Sequence, residues 1–241
     1  MLEGLSGRTI LITGASGGIG AETARVCASY GANLVLLDIA GPVDVAKEVA
    51  ERFNVLVSAH GLDVRDRPAV ELLVNRLAQL DAVVANAAVC PWDDWNDEGW
   101  DTVFRTVIEI NILGVVNLLR PTMSKMAASG GGKVVLISSV AARMGGLKAS
   151  PHYVASKGGI ASLLKWFARK GAETNVNVNC VSPGATATAM TRGAMIETSG
   201  VPLRRMANPR DIALPVAFLC SDGANYMCGA TLDVNGGVYM Q

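Results

Sequence analysis

A tyrosine and a lysine stand four residues apart in Tyr153-Val154-Ala155-Ser156-Lys157. On a helix that spacing puts both side chains on one face, one turn apart. A free tyrosine titrates near ~10 and is a poor base at neutral pH. A fixed ammonium beside it favours the phenolate, lowers that value and makes proton transfer feasible. Any long helix can hold such a pair by accident, so its meaning depends on what else the chain supplies. Upstream, the strand-like run Thr9-Ile-Leu-Ile-Thr13 leads into Gly14-Ala15-Ser16-Gly17-Gly18-Ile19-Gly20 and then a helical stretch. Glycines there allow a tight turn and a close backbone approach to a pyrophosphate. The helix that follows points its N-terminal N–H groups at the anion. A glycine-rich turn alone would mean little; between a strand and a helix it is what dinucleotide binding requires.

A second apolar run, Asn33 to Leu37, ends at Asp38, eighteen residues past Gly20. A carboxylate there accepts hydrogen bonds from the adenosine ribose hydroxyls and repels a 2′-phosphate. Neither Ala15–Gly18 nor Ile39–Pro42 contains a lysine or arginine to offset it. Asp63-Val64 follows the third strand-like run, at the sheet edge where a nucleotide base would lie. Asn86-Ala87-Ala88 follows the fourth, with small residues that leave room for a cofactor.

These residues need a scaffold, and the hydrophobic pattern supplies one. Strands are expected at 8–13, 33–37, 54–59, 81–85, 132–138, 175–180 and 230–234. Helices are expected at 18–30, 43–52, 67–79, 98–127, 152–171 and 209–220. Such alternation predicts an α/β fold, a parallel sheet with helices on both faces. No repeat or linker divides the chain, so residues 1–241 read as one domain. Asn208-Pro209 reads as an N-cap followed by proline at the first helical position. Apolar residues make up 50% and charged residues 17%, with zero net charge, so no basic surface for nucleic acid is expected. Runs such as Leu34–Leu37 and Val134–Ile137 are too short to cross a bilayer, and the N-terminus lacks a signal-peptide pattern. Cys27, Cys90, Cys180, Cys220 and Cys228 form no metal-ligand spacing. They suggest reduced thiols in a cytoplasmic protein. His60 and His152 are too few for a histidine-rich metal site, and no metal is expected.

Taken in order, Thr13-Gly14-x-x-x-Gly18-x-Gly20, Asp63, Asn86-Ala87-Ala88, Asn111, Ser139, Tyr153-x-x-x-Lys157 and Pro183-Gly184-x-x-x-Thr188 resemble the short-chain dehydrogenase/reductase family over essentially the whole chain. The resemblance implies a three-layer Rossmann fold with a seven-stranded sheet, often in a homotetramer. It implies that Tyr153 is the general base in alcohol oxidation and the acid in ketone reduction. Ser139 would hold the reacting oxygen, Lys157 would lower the tyrosine pKa and bind the nicotinamide ribose, and Asn111 would hold a relay water. Gly14, Ser16, Gly18, Ile19, Gly20, Asp38, Ile39, Asp63, Val64, Asn86, Ala87, Ala88, Tyr153 and Lys157 would contact the cofactor, NAD. Pro183-Gly184 would open a loop over the nicotinamide, with Thr186 and Thr188 on its carboxamide.

Three departures stand out: Asn-Ala-Ala in place of a glycine-ended motif, a fourteen-residue step from Ser139 to Tyr153, and Asn235 where an aspartate is frequent. The extra residue falls in the loop Ala141–Pro151. Ser138, on the opposite face of an extended strand, is set aside. Asn235 is expected to bear on subunit contacts. On the substrate side, Trp92, Trp95 and Trp100 sit among Asp93, Asp94, Asp97 and Glu98, read as a surface loop and helix start. Ser139, Tyr153, Trp92, Met144, Leu147 and the Met190–Met195 segment are the expected pocket residues, with Arg143, Lys148 and Arg192 the available cations. The expectation is an NAD-dependent enzyme for a small, mostly apolar secondary alcohol or its ketone. Its rivals are an NADPH-dependent 3-oxoacyl-carrier-protein reductase, a non-catalytic nucleotide-sensing regulator, and a dehydratase or epimerase relative.

Overall fold

In the computed structural model, which describes residues 2–146, 148–194 and 196–240, seven strands form one parallel sheet. They are β1 (Thr9–Thr13), β2 (Asn33–Asp38), β3 (Val57–Gly61), β4 (Ala82–Ala85), β5 (Gly132–Ile137), β6 (Val176–Pro183) and β7 (Thr231–Val234). Their order is β3-β2-β1-β4-β5-β6-β7. The chain therefore runs outward from β1 to one edge, returns, and continues outward from β4 to the other. A sheet built this way opens a crevice at the carboxyl ends of its two central strands.

Successive strand residues face opposite ways, so both faces must be covered. Ile10, Ile12, Leu34, Leu36, Val84, Val135 and Val181 pack on one side with α1 (Gly18–Ser29), α2 (Val43–Phe53) and α8 (Pro209–Cys220). Leu11, Val35, Val83, Val134, Leu136 and Val178 pack on the other with α3 (Arg67–Arg76), α5 (Gly114–Ala128) and α7 (Pro151–Ala172). This is the expected three-layer arrangement. Pro209 occupies the first turn of α8, and Asp211 accepts a hydrogen bond from the Asn208 N–H at 2.8 Å.

Three local features differ from the expected boundaries. β3 begins at Val57 because Asn54 ends α2 in the left-handed conformation (φ 54°) and the chain needs the next residues to turn. β6 runs on to Pro183 because Ser182 and Pro183 still pair with Asp233 and Val234 of β7. The long helix expected over 98–127 is α4 (Trp100–Ile108) joined to α5 through a π-helical turn, Glu109–Leu113. By length and composition this Trp100–Ala128 rod could cross a membrane, a test that buried core helices also pass. Here Val107, Asn111, Val115, Leu118, Leu119 and Met126 are buried against the rest of the chain.

Candidate active site

The crevice between β1 and β4 is built from backbone first. Gly14 follows β1 with φ +66°, a conformation that side chains resist, and a Cβ on Gly20 would run into the Gly14 carbonyl oxygen. The loop thus needs glycine for its own closure as well as for a ligand's approach. Asp38 closes its flank: one carboxylate oxygen accepts the Ser16 N–H at 3.0 Å and the other the Ala40 N–H at 3.1 Å. Ile39 beside it is exposed. Gly18 opens α1, with Ile19 next, and faces the Thr188 methyl, so Thr188 lies against the loop. A cavity of about 640 Å³ between them is lined by Gly17, Gly18, Thr188, Ala189 and Arg192.

Asn86 does more than leave room. Its side-chain amide donates to the Thr13 carbonyl at 2.9 Å and the Gly14 carbonyl at 3.2 Å, tying β4 to the glycine loop. The buried Thr13 hydroxyl accepts the N–H groups of Asn86 and Ala87, each at 3.0 Å. Ala87 and Ala88 stay half-buried at the crevice. The signal for Thr13 in the sequence is a polar residue ending an apolar strand. Asp63 is paired with Arg65 at 2.6 Å, which holds its carboxyl below the usual range. The Val64 side chain packs against Gly114, and its carbonyl accepts from Asn117. Thr186 is buried, its hydroxyl donating to the Gly184 carbonyl at 3.0 Å. Gly184 lies against the Asn235 backbone, and the Asn235 amide donates to the Tyr239 carbonyl. Asn235 therefore has work within its own chain, fixing the turn beneath Gly184.

The chemistry-bearing side chains come from α7, the end of β5 and the π-turn. The Ser139 hydroxyl accepts the Ala141 N–H at 3.1 Å, and it lies close enough to the Tyr153 phenol to favour its ionised form. The step of fourteen residues between them is taken up in part by a short unexpected helix, α6 (Ala141–Met144). Ser138 points away, its hydroxyl donating to the Lys157 carbonyl at 3.0 Å. Lys157 is buried, with its ammonium 5.7 Å from the Tyr153 ring centre and donating to the Ile137 carbonyl at 2.9 Å. Asn111 sits in the π-turn, where its side chain both donates to and accepts from the Val89 backbone at 2.9 Å and donates to Ser156 at 3.0 Å. Such turns recur where a helix must present one residue out of register.

Burial dominates the electrostatics of the tyrosine–lysine pair. Burial raises the Tyr153 pKa, the nearby Cys90 adds to the rise, and the neighbouring Ser139 hydroxyl opposes it. Burial also lowers Lys157 to about 8. The spacing argument assumed a hydrated ammonium facing the phenol. In the fold the ammonium is desolvated and bound to the Ile137 carbonyl, and burial is the largest influence on the phenol.

On the substrate side, the Trp92 indole N–H donates to the Met190 carbonyl at 2.7 Å, joining two loops far apart in sequence. Met144 is exposed at the end of α6. Leu147 and Met195 lie outside the described residues. Arg143 lies over the Tyr239 ring at 5.9 Å and Arg192 lines the cavity above the glycine loop. The acidic segment is not wholly a solvated surface: Asp93 accepts from the buried His152, and Trp100 stacks on that imidazole.

Comparison with known proteins gives one account along the whole length. The family profile described as enoyl-(acyl carrier protein) reductase matches residues 14–239. The chain is 34% identical to a cis-4-hydroxycyclohexanecarboxylate dehydrogenase of Sinomonas cyclohexanicum, over 98% of each. It is 33% identical to an L-rhamnose 1-dehydrogenase (NAD(P)(+)) of Azotobacter vinelandii, over 97% of each. A short chain dehydrogenase from Mycobacterium paratuberculosis, solved bound to NAD, superposes with a TM-score of 0.88 at 31% identity, covering 97% of this chain and 98% of that one.

Proposed function

The chain belongs to the short-chain dehydrogenase/reductase family and is an oxidoreductase of that type, and from that premise we propose that it interconverts a small, mostly apolar secondary alcohol and its ketone with NAD(H). The observation that carries the reading is the Tyr153 phenol beside Ser139, with the Lys157 ammonium 5.7 Å from its ring, at the carboxyl edge of the sheet beside a loop that only glycine can close. The left-handed Gly14, the space kept open at Gly20 and the Asp38 carboxylate on Ser16 fit a dinucleotide. When bound, its nicotinamide supplies the hydride chemistry.

The chain's own residues do the rest. Ser139 holds the reacting oxygen within reach of Tyr153, and Tyr153 takes the alcohol proton in oxidation or gives it in reduction. Lys157 supplies the positive charge that favours the phenolate and a donor for the nicotinamide ribose. Asn111 fixes the turn after β4 through Val89; because its side chain is fully engaged, a water-holding role in proton relay falls to its main chain. Gly14, Ser16, Gly18, Ile19, Gly20, Asp38, Ile39, Asn86, Ala87 and Ala88 hold the adenosine and pyrophosphate half. Asp63 and Val64 add main-chain contacts to the base, since their side chains are engaged with Arg65 and Gly114. Pro183, Gly184, Thr186 and Thr188 cover the nicotinamide. Trp92, Met144 and Met190 favour an apolar substrate body, and the cyclohexane and sugar relatives favour a ring. Asp38 favours NAD over NADP by repelling a 2′-phosphate. The same reading includes a cytoplasmic enzyme assembled as a homotetramer.

Initial rates with cyclohexanol, cis-4-hydroxycyclohexanecarboxylate and L-rhamnose, each with NAD+ and with NADP+, test it. NADH formation on a ring alcohol, with the larger kcat/KM for NAD+, is expected. Turnover favouring NADP+, or none with any alcohol, overturns it.

A further inference from the structure

His152, the residue before Tyr153, is fully buried. Its Nε2 lies 3.0 Å and 3.1 Å from the two Asp93 carboxylate oxygens. Its ring stacks on Trp100, with centres 5.5 Å apart and planes at 19°, and meets the edge of Phe104. Trp100 in turn donates its indole N–H to the Ser150 hydroxyl at 3.2 Å, just before α7. The opposite ring nitrogen, Nδ1, is buried with no partner. Donation from Nε2–H to Asp93 therefore selects the tautomer and fixes the ring's orientation. An imidazole buried this deeply is costly to leave without its half-buried carboxylate partner.

What the pair holds is the segment between β4 and α4. That segment leaves β4 at Asn86, is tied to Asn111 at Val89, passes Cys90 and Trp92, and reaches Asp93. Cys90 is half-buried and close enough to Tyr153 and Lys157 to interact with both electrostatically. Trp92 reaches across to Met190. The segment is a wall beside the tyrosine, and among the described residues its side-chain anchors are Asn111 at one end and His152 at the other, with the Trp92–Met190 bond between them.

We propose that His152 and Asp93 form a latch that positions the Cys90–Asp93 wall against Tyr153, making His152 a positioning residue for the substrate pocket. The proposal rests on the oxidoreductase reading for its effect on turnover, but the latch itself is testable without turnover. His152→Phe keeps an aromatic ring against Trp100 and removes the donor. Asp93→Ala removes the acceptor. His152→Gln restores an N–H donor towards the carboxylate.

The experiment is iodoacetamide labelling of each NADH-bound protein, with peptide mass spectrometry giving the rate at Cys90 relative to the exposed Cys228. In His152→Phe and in Asp93→Ala the Cys90 rate should rise at least about tenfold, the factor that loss of one hydrogen bond to a charged group corresponds to. The double variant should rise no further, and His152→Gln should return towards wild type. The buried Cys27, Cys180 and Cys220 should stay unlabelled in all of them. An unchanged Cys90 rate, additive effects in the double variant, or labelling of the buried cysteines together with Cys90 would overturn the latch. With a ring alcohol that turns over, KM should rise about tenfold in His152→Phe while NADH affinity holds. Absence of turnover in the wild type would count against the proposed function and leave the labelling result to decide the latch.

Discussion

The two halves of the site are held by different physics. The dinucleotide half, from Gly14 to Asp38 and Asn86, is a backbone construction: a left-handed glycine, a missing Cβ, and N–H and carbonyl groups tied by Thr13, Asp38 and Asn86. The substrate half is a side-chain construction. Its walls are joined by contacts between distant segments, Trp92 to Met190 and Asp93 to His152, and its reacting groups are the half-buried Tyr153 and Ser139 beside the buried Lys157. A backbone site tolerates little change in shape but is indifferent to most side chains. A side-chain site can be retuned by single substitutions, and this is how one fold serves many alcohols.

If the halves are separable, substitutions should strike one without the other. The largest effect is expected at Tyr153→Phe, which removes the proton-transfer group and keeps the ring. Steady-state kcat should fall by ~10²–10⁴. Near-normal turnover would mean that the tyrosine is not the proton-transfer group.

Next in size is the charge on Lys157. Its folded pKa, about 8, lies below the ordinary lysine value of 10.5. Below pH 8 both states carry the proton and the folded state bears the full burial penalty. Between 8 and 10.5 the unfolded chain binds the proton more tightly, so stability rises with pH. Relative to Lys157→Met, the wild type without cofactor should gain up to about 3 kcal/mol across that window, at 1.36 kcal/mol per pKa unit. Urea unfolding of both at pH 7.5 and pH 10 checks this, and a constant difference between them would contradict it.

Asp38→Asn keeps the contact with Ser16 within reach and removes the charge. The ratio of kcat/KM for NAD+ to that for NADP+ should fall about tenfold, on the scale of one charge interaction of about 1.4 kcal/mol. An unchanged ratio would place the discrimination elsewhere. The smallest effect is expected at Trp92→Phe, which deletes one indole N–H donor to Met190. KM for the alcohol should rise about fivefold, on the scale of a single hydrogen bond of about 1 kcal/mol, with NADH affinity intact.

The same division explains what the sequence could show. The strand–glycine loop–helix unit, Asp38 and the β/α alternation depend on residues close in sequence or on a period set by backbone geometry, so pattern reading reaches them. The start of β3 escapes pattern reading because Asn54 turns left-handed after α2, and the π-turn escapes it because nothing in Glu109–Leu113 marks an extra residue in a helix. Trp92 reads as a pocket residue from sequence, but its partner is 98 residues away. Asp93 looked like one more surface carboxylate because its histidine is 59 residues downstream. The Tyr153 and Lys157 shifts come from desolvation, and spacing carries no information about burial.

The most direct test of the account is an NADH fluorescence titration of Tyr153→Phe beside the wild type. If Tyr153 acts on the substrate proton while the glycine loop and Asp38 grip the cofactor, the two dissociation constants should agree within about twofold even though kcat has collapsed. A loss of NADH affinity as large as the loss of kcat would show that the tyrosine builds the cofactor site, and the separation of the two halves would be wrong.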